Sequence, residues 1–266
     1  MGSNLPNYKE IKVGKKDYLI EITLSRPEVL NALSVQLVRE LLSEIKRIEK
    51  DRTVRFAVLR GDGDKAFCVG ADLKERAAFD DRRVEAFLNK LNDIGKRIED
   101  SRIIYFAAID GYALGGGLEI CLPCDFRFAT ERSILGAPEV RVGVIPGAGG
   151  TQRLCNICGE KNAKKIVLLG EKFDAKTAYE YGILHEVVKD RRALEKKVEE
   201  YVGKLSECAP LAISKAKKCI NYAFTKIRKK ALQFERENYR KLLSSQDRKE
   251  GLAAFSEKRK PEYKGR

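Results

Sequence analysis

Apolar and polar residues alternate along residues 18–24 (YLIEITL), the period-two signature of a strand with one buried face. Ser25-Arg26-Pro27 breaks the pattern. From residue 35 to 50 the period lengthens: Leu37, Val38, Leu41, Leu42, Ile45 and Ile48 recur at helical spacing and form one apolar stripe. Asn31 or Ser34 offers the side-chain oxygen that would cap this helix. Residues 54–60 (VRFAVLR) predict another strand, followed by the turn Gly61-Asp62-Gly63-Asp64. A short apolar stretch, 66–69, then leads through the loop Gly70-Ala71-Asp72 into a charged helical region reaching about Asp100. Residues 103–109 are almost wholly apolar, which marks a strand covered on both faces.

Repeated strand, strand, helix units predict an α/β fold through the first two-thirds of the chain. From about Ala193 onward no strand pattern recurs and the chain reads as helical. The expected organisation is an α/β core over residues 1–200 and a C-terminal helical region over residues 201–266. No Gly/Ser linker separates them, so the helical arm is expected to pack on the core or on another subunit.

The longest apolar run falls far short of the ~20 residues a bilayer-spanning helix needs, and the first residues carry no secretory signal. A cytoplasmic protein is expected, or one of the mitochondrial matrix that has lost a transit peptide. Lys and Arg number 53 against 39 Asp and Glu, a net +14, and the excess gathers in SKAKKCINYAFTKIRKKALQFERENYRK and EKRKPEYKGR. Such a bias suits nucleic acid, an anionic membrane or a polyphosphorylated small molecule, and equally the solvated faces of charged helices.

Seven cysteines include two C-x-x-C pairs, Cys121/Cys124 and Cys155/Cys158, formally the layout of a four-thiolate zinc site. The first pair lies among apolar residues, the second lacks a Gly-rich knuckle, and the odd total fits no complete disulfide framework. Buried reduced thiols are the expectation, with no metal. The single histidine, His185, excludes an HExxH zinc site, and no G-x-S-x-G elbow accompanies it. It is expected to be structural.

Candidate chemistry gathers in residues 109–139. Gly115-Gly116-Gly117 enters an expected helix, where backbone N–H groups are unpaired at the positive end of the helix dipole. Such donors can stabilise a developing oxyanion. Glu119 follows among Leu118, Ile120, Cys121 and Leu122, so burial would raise its pKa. Glu139 comes 20 residues later, behind Pro138, far enough for a helix and a returning strand to bring the two together. Two carboxylates beside an oxyanion hole suit general acid–base chemistry next to an acyl carbonyl. Neither GYALGGG nor GVIPGAGG fits G-x-G-x-x-G, and no Gly-Lys-Ser/Thr closes a P-loop.

Gly70-Ala71-Asp72-Leu73, residues 109–119 (IDGYALGGGLE), Pro138-Glu139 and residues 145–154 (IPGAGGTQRL) together resemble the enoyl-CoA hydratase/isomerase (crotonase) superfamily. The resemblance runs from Arg26-Pro27 and Asn31-Ala32-Leu33 to Glu257-Lys258-Arg259. GADLKER and EGLAAFSEKRKPEYKG are most similar to the AU-RNA-binding methylglutaconyl-CoA hydratase group.

This resemblance implies a spiral of ββα units with a C-terminal helical trimerisation region, and a homotrimer or hexamer. It implies an oxyanion hole of the Ala71 and Gly116 amides. Glu119 would hold and deprotonate a water, and Glu139 would share that water and protonate the α-carbon. Ala71, Asp72, Leu73, Lys74 and Gly116 would contact an acyl-CoA substrate, with residues 28–30 lining the groove and Lys258 and Arg259 reaching phosphates. No metal or redox cofactor is implied, CoA being part of the substrate. Retention of both carboxylates favours a hydratase over an isomerase, which needs one proton shuttle.

Two departures, Ile104 where the family usually has proline and Cys155-Asn156 after TQRL, bear on the acyl pocket. The first helix has Val35, Ser43 and Glu49 where the RNA-binding relative carries lysines, so nucleic-acid binding stays an alternative rather than a main function.

Overall fold

The structure, a computed structural model, describes residues 5–262, and their side chains apart from those of residues 222–232, 238 and 241. Strand β1 (Ile11–Lys16) is an edge strand whose lysines hid it from the periodicity, and it pairs antiparallel with β2 (Leu19–Leu24). The helix of the 3.6-residue stripe is α1 (Val35–Lys50), capped by Ser34, whose Oγ accepts the Leu37 N–H at 2.9 Å. Asn31 is not the cap. It sits in the left-handed region (φ 56°) and its side chain donates to the Asp62 and Ala66 carbonyls, tying its loop to the next strands.

Strands β3 (Phe56–Gly61) and β4 (Ala66–Cys68) follow. The charged region expected to reach Asp100 divides into α2 (Leu73–Arg76) and α3 (Asp81–Asp100), because Asp80 caps a new helix by accepting from the Arg83 amide at 2.8 Å. Then come β5 (Ile104–Ile109), β6 (Tyr112–Leu114), α4 (Gly116–Cys121), β7 (Phe126–Thr130) and β8 (Ile134–Gly136). Helix α5 (Gly150–Leu169), β9 (Lys172–Asp174), α6 (Ala175–Glu180) and β10 (Glu186–Val188) complete the strand-bearing part.

β1 and β2 form a hairpin in one sheet, and from β3 onward each successive strand pair gives one strand to each of two sheets. The first sheet has the order β1-β2-β3-β5-β7-β10, parallel except at β1, and the second the order β4-β6-β8-β9. This is the spiral of ββα units. Along β5 successive residues face different cores. Tyr105, Ala107 and Ile109 pack with α1 and α3. Ile104, Phe106 and Ala108 join Phe56, Val58 and Phe128 against Leu194, Val198 and Val202. Burial on both faces is what the unbroken apolar run encodes.

The chain ends in α7 (Arg191–Ser206), α8 (Pro210–Leu243) and α9 (Gln246–Glu257). Residue 200 falls inside α7, which covers the second core; the break between helices lies at residues 207–209. Helix α8 packs on α3 and α5, and α9 on the 3-10 turn Pro138–Val142. The helical region therefore closes over the segment that bears Glu139. Among the described residues no helix is long and apolar enough to cross a membrane.

Candidate active site

The site forms where the exit of β4 meets the start of α4. Gly70 has φ +93°, and a Cβ there would lie 2.9 Å from the Leu114 carbonyl and 3.2 Å from the Gly116 nitrogen. Gly117 is equally constrained, since its Cβ would fall 2.1 Å from the Cys68 carbonyl oxygen. The glycines thus permit two backbones to touch.

Leu33 bridges to this loop through two bonds, its own amide to the Gly70 carbonyl (2.8 Å) and the Asp72 amide to the Leu33 carbonyl (3.0 Å). In an extended segment, neighbouring amides point to opposite sides. The Ala71 N–H therefore turns away from Leu33, and its nitrogen lies 3.7 Å from where a Gly116 Cβ would stand. The Gly116 amide is the first of α4, with no carbonyl of the helix to bond. Among the described residues neither amide donates to another group. Two free N–H groups meet at the N-terminus of α4.

Glu119 lies in the first turn of α4 and is 6% exposed. Its Oε1 accepts the Ala148 and Gly150 amides, both at 2.8 Å. Burial pushes its pKa up, and the Gly150 and Ala148 amides act against that rise. Glu139 stands on the 3-10 turn, and its Oε1 is 3.2 Å from where a Gly115 Cβ would be. The residue is half-buried, but both carboxylate oxygens are buried without a hydrogen-bond partner among the described residues. Burial first, then the neighbouring Glu119 charge, push its pKa up to about 8.

The two carboxylates thus lie close enough for the Glu119 charge to act on Glu139, and they differ in their partners. Glu119, held by two donors, is the better site for the charge; Glu139, without donors, is the better site for the proton.

A third carboxylate, Glu235 of α8, accepts the Gly149 amide at 3.0 Å and the Thr151 hydroxyl. Sequence reasoning missed it as one more charge in a basic helix. Its signal was spacing: Glu235, Tyr239 and Leu243 recur at i, i+4, i+8 and are all buried. Arg76 was missed for the same reason. Its guanidinium donates to the Tyr239 hydroxyl at 2.7 Å and lies 5.8 Å from the Phe87 ring, and its charge reaches both Glu119 and Glu139.

The other expected contact residues divide. Asp72 caps α2, accepting the Lys74 and Glu75 amides at 3.2 and 3.3 Å, and Arg26 Nη1 donates to it at 3.1 Å. Leu73 is half-buried and Lys74 exposed. Leu30 accepts the Val69 amide at 3.3 Å, which brings residues 28–30 to the same loop. Lys258 ends α9 in the left-handed region, and Arg259 is engaged by Glu250 (2.6 and 2.8 Å) and Glu257 (2.6 Å).

His185 accepts the Arg127 amide on Nδ1 at 3.1 Å, and burial beside Arg127 lowers its pKa to about 4. The Cys121 and Cys124 thiols are buried and donate to the Gly117 and Ile120 carbonyls. Cys158 is buried and Cys155 exposed on α5. A cleft of about 570 Å³ between residues 122–127 and 213–221 touches neither Glu119 nor Glu139.

Comparisons with known proteins identify the family of the chain. The enoyl-CoA hydratase/isomerase family model matches residues 14–266. A probable mitochondrial enoyl-CoA hydratase of Arabidopsis thaliana is 40% identical over 95% of this chain and 83% of that protein. The 2,3-dehydroadipyl-CoA hydratase of Escherichia coli is 34% identical over 97% of this chain and 99% of its own length. The crystal structure of an enoyl-CoA hydratase from Bacillus anthracis superposes with a TM-score of 0.78 at 38% identity, covering 97% of this chain and all of that one. With the two-sheet spiral, the free amides of Ala71 and Gly116 and the buried Glu119–Glu139 pair, the chain belongs to the enoyl-CoA hydratase/isomerase family.

Proposed function

We propose that this protein adds water across the 2,3 double bond of a 2-enoyl-CoA thioester, or removes it in reverse. The observation that carries this reading is the unequal carboxylate pair: Glu119 clamped by two amides, Glu139 buried with none. The Ala71 and Gly116 amides hold the thioester oxygen as it gains negative charge, and each such donor is worth about 3–4 kcal/mol in the transition state. Glu119, ionised, orients a water and takes its proton as the oxygen bonds to the β-carbon. Glu139, protonated below about pH 8, gives its proton to the α-carbon as the charge leaves the thioester oxygen. The proton on Glu119 then passes to Glu139, and the site is restored.

An isomerase needs a single proton shuttle, and a second acidic group with a raised pKa favours hydration. No cofactor beyond the CoA thioester takes part. Residues 71–74 line the substrate, with Asp72 holding the loop in shape and exposed Lys74 available to phosphate. The C-terminal helices carry Leu211 and Ile220 at 70% and 67% exposure, which supports subunit contacts in a homotrimer or hexamer. We place the enzyme in the cytoplasm or the mitochondrial matrix.

The test is crotonyl-CoA hydration, followed as loss of the conjugated thioester absorbance. Glu119→Gln and Glu139→Gln should each lower turnover by roughly 10²–10⁴ with the fold intact. Near-native rates in both variants would overturn the reading.

A further inference from the structure

Residues 148–151 are strung between two carboxylates. The Ala148 and Gly150 amides point at Glu119, while the intervening Gly149 amide and the Thr151 hydroxyl point at Glu235. Gly149 makes the alternation feasible with φ +92°. The rest of the segment is fixed from other elements. Arg153 Nη1 donates to the Ala148 carbonyl at 2.7 Å, Asn92 donates to the Gly147 carbonyl at 3.0 Å, and Tyr239 lies against Gly147.

A neutral acceptor at residue 235 would satisfy the same donors at a smaller desolvation cost. A buried carboxylate there, 4% exposed, asks for a reason beyond tethering α8. We propose that Glu235 is a positioning residue of the active site: through residues 149–151 it aims the Ala148 and Gly150 amides at Glu119, and its charge completes a three-carboxylate pocket with Glu119 and Glu139. The proposal rests on the hydration reading above.

Electrostatics support it. Burial and the Glu119 charge raise Glu235 to about 7, and Glu235 is in turn one of the groups that raise Glu139. Among the described residues, the cations whose charge reaches these carboxylates include Arg153, paired with Glu99 at 2.8 Å, Arg76, bonded to the Tyr239 hydroxyl, and Arg236, bonded to Asn89 at 2.6 Å. Glu235 thereby helps keep the proton on Glu139 that the α-carbon receives. It also makes the C-terminal helical region part of the site.

Native protein, Glu235→Gln and Glu235→Ala would be compared by hydrogen exchange over residues 146–153 and by the pH profile of crotonyl-CoA hydration. In Glu235→Gln the amide oxygen still accepts from Gly149 and its NH₂ can donate to Thr151. Exchange should stay slow while the alkaline limb of kcat moves to lower pH. In Glu235→Ala exchange should quicken about tenfold or more, and kcat should fall roughly 10–10²-fold with KM nearly unchanged.

Native exchange and native kcat in Glu235→Ala would overturn the clamp. An unmoved profile in Glu235→Gln would overturn the charge effect, and that variant decides if the alanine protein does not fold. Exchange is read even in a protein that hydrates nothing, so loss of the hydration reading and loss of the clamp are told apart.

Discussion

Glu119 and Gly150 define each other: the Gly150 amide donates to Glu119 Oε1 at 2.8 Å, and a Cβ on residue 150 would come within 2.8 Å of that same oxygen. The pair fixes the direction of the base, because the carboxylate can rotate only by losing the Gly150 bond together with that from Ala148.

Gly150→Ala should therefore injure turnover more than stability. The new methyl also meets Pro146 Cβ at 2.8 Å, so strain of about 1–3 kcal/mol is expected, as in other overpacked interiors. Displacement of the Glu119 carboxylate should cost about 10²-fold in kcat. Urea unfolding beside crotonyl-CoA kinetics separates the two. A variant equally active, with the same urea midpoint, would show that the segment yields freely.

Much of this geometry was legible in the chain. Period-two and period-3.6 patterns located β2, α1 and β5, and the order of the motifs pointed to Ala71, Gly116, Glu119 and Glu139. What escaped depends on contacts between distant segments. β1 is half lysine and becomes a strand only because β2 offers it an edge. Glu235 is marked only by its spacing with Tyr239 and Leu243, and Arg76 carries no local mark, since its partner Tyr239 comes from α8, which packs on α3 and α5. The motif put Asp72 on the substrate loop, and only the fold shows that its oxygens cap α2 and accept from Arg26. A motif locates a loop before it reveals which way each side chain turns.

Glu139 makes the protein's stability depend on pH. Its pKa rises from 4.5 in the unfolded chain to about 8 in the folded one. Below 4.5 both states hold the proton. Between 4.5 and 8 only the folded state holds it, so the native state loses ground as pH rises through this window. The loss is at most about 5 kcal/mol, and sharing of protons with Glu119 reduces it. Glu139→Gln should hence be more stable than native protein at pH 8, with the gap shrinking towards pH 4.5. Urea midpoints of both proteins across that range provide the measurement; parallel curves would place the Glu139 proton elsewhere. Hydration, which needs that proton, should fall in the native enzyme as pH rises through about 8.

His185 should act with the reverse sign. Its folded pKa of about 4 lies below the 6.5 of a free imidazole, because burial and Arg127 disfavour the cation while Nδ1 accepts the Arg127 amide. Above 6.5 both states are neutral; as pH falls from 6.5 to 4 only the unfolded chain takes up a proton, and the native state loses stability. His185 is the chain's only histidine, so one imidazole resonance reports the whole effect without assignment. Its NMR titration should have a midpoint near 4, and hydration should show no step near 6.5. A midpoint near 6.5 would mean that the ring is not held against Phe126, 5.4 Å away, and that the β7–β10 join is looser than the Arg127 pairing requires.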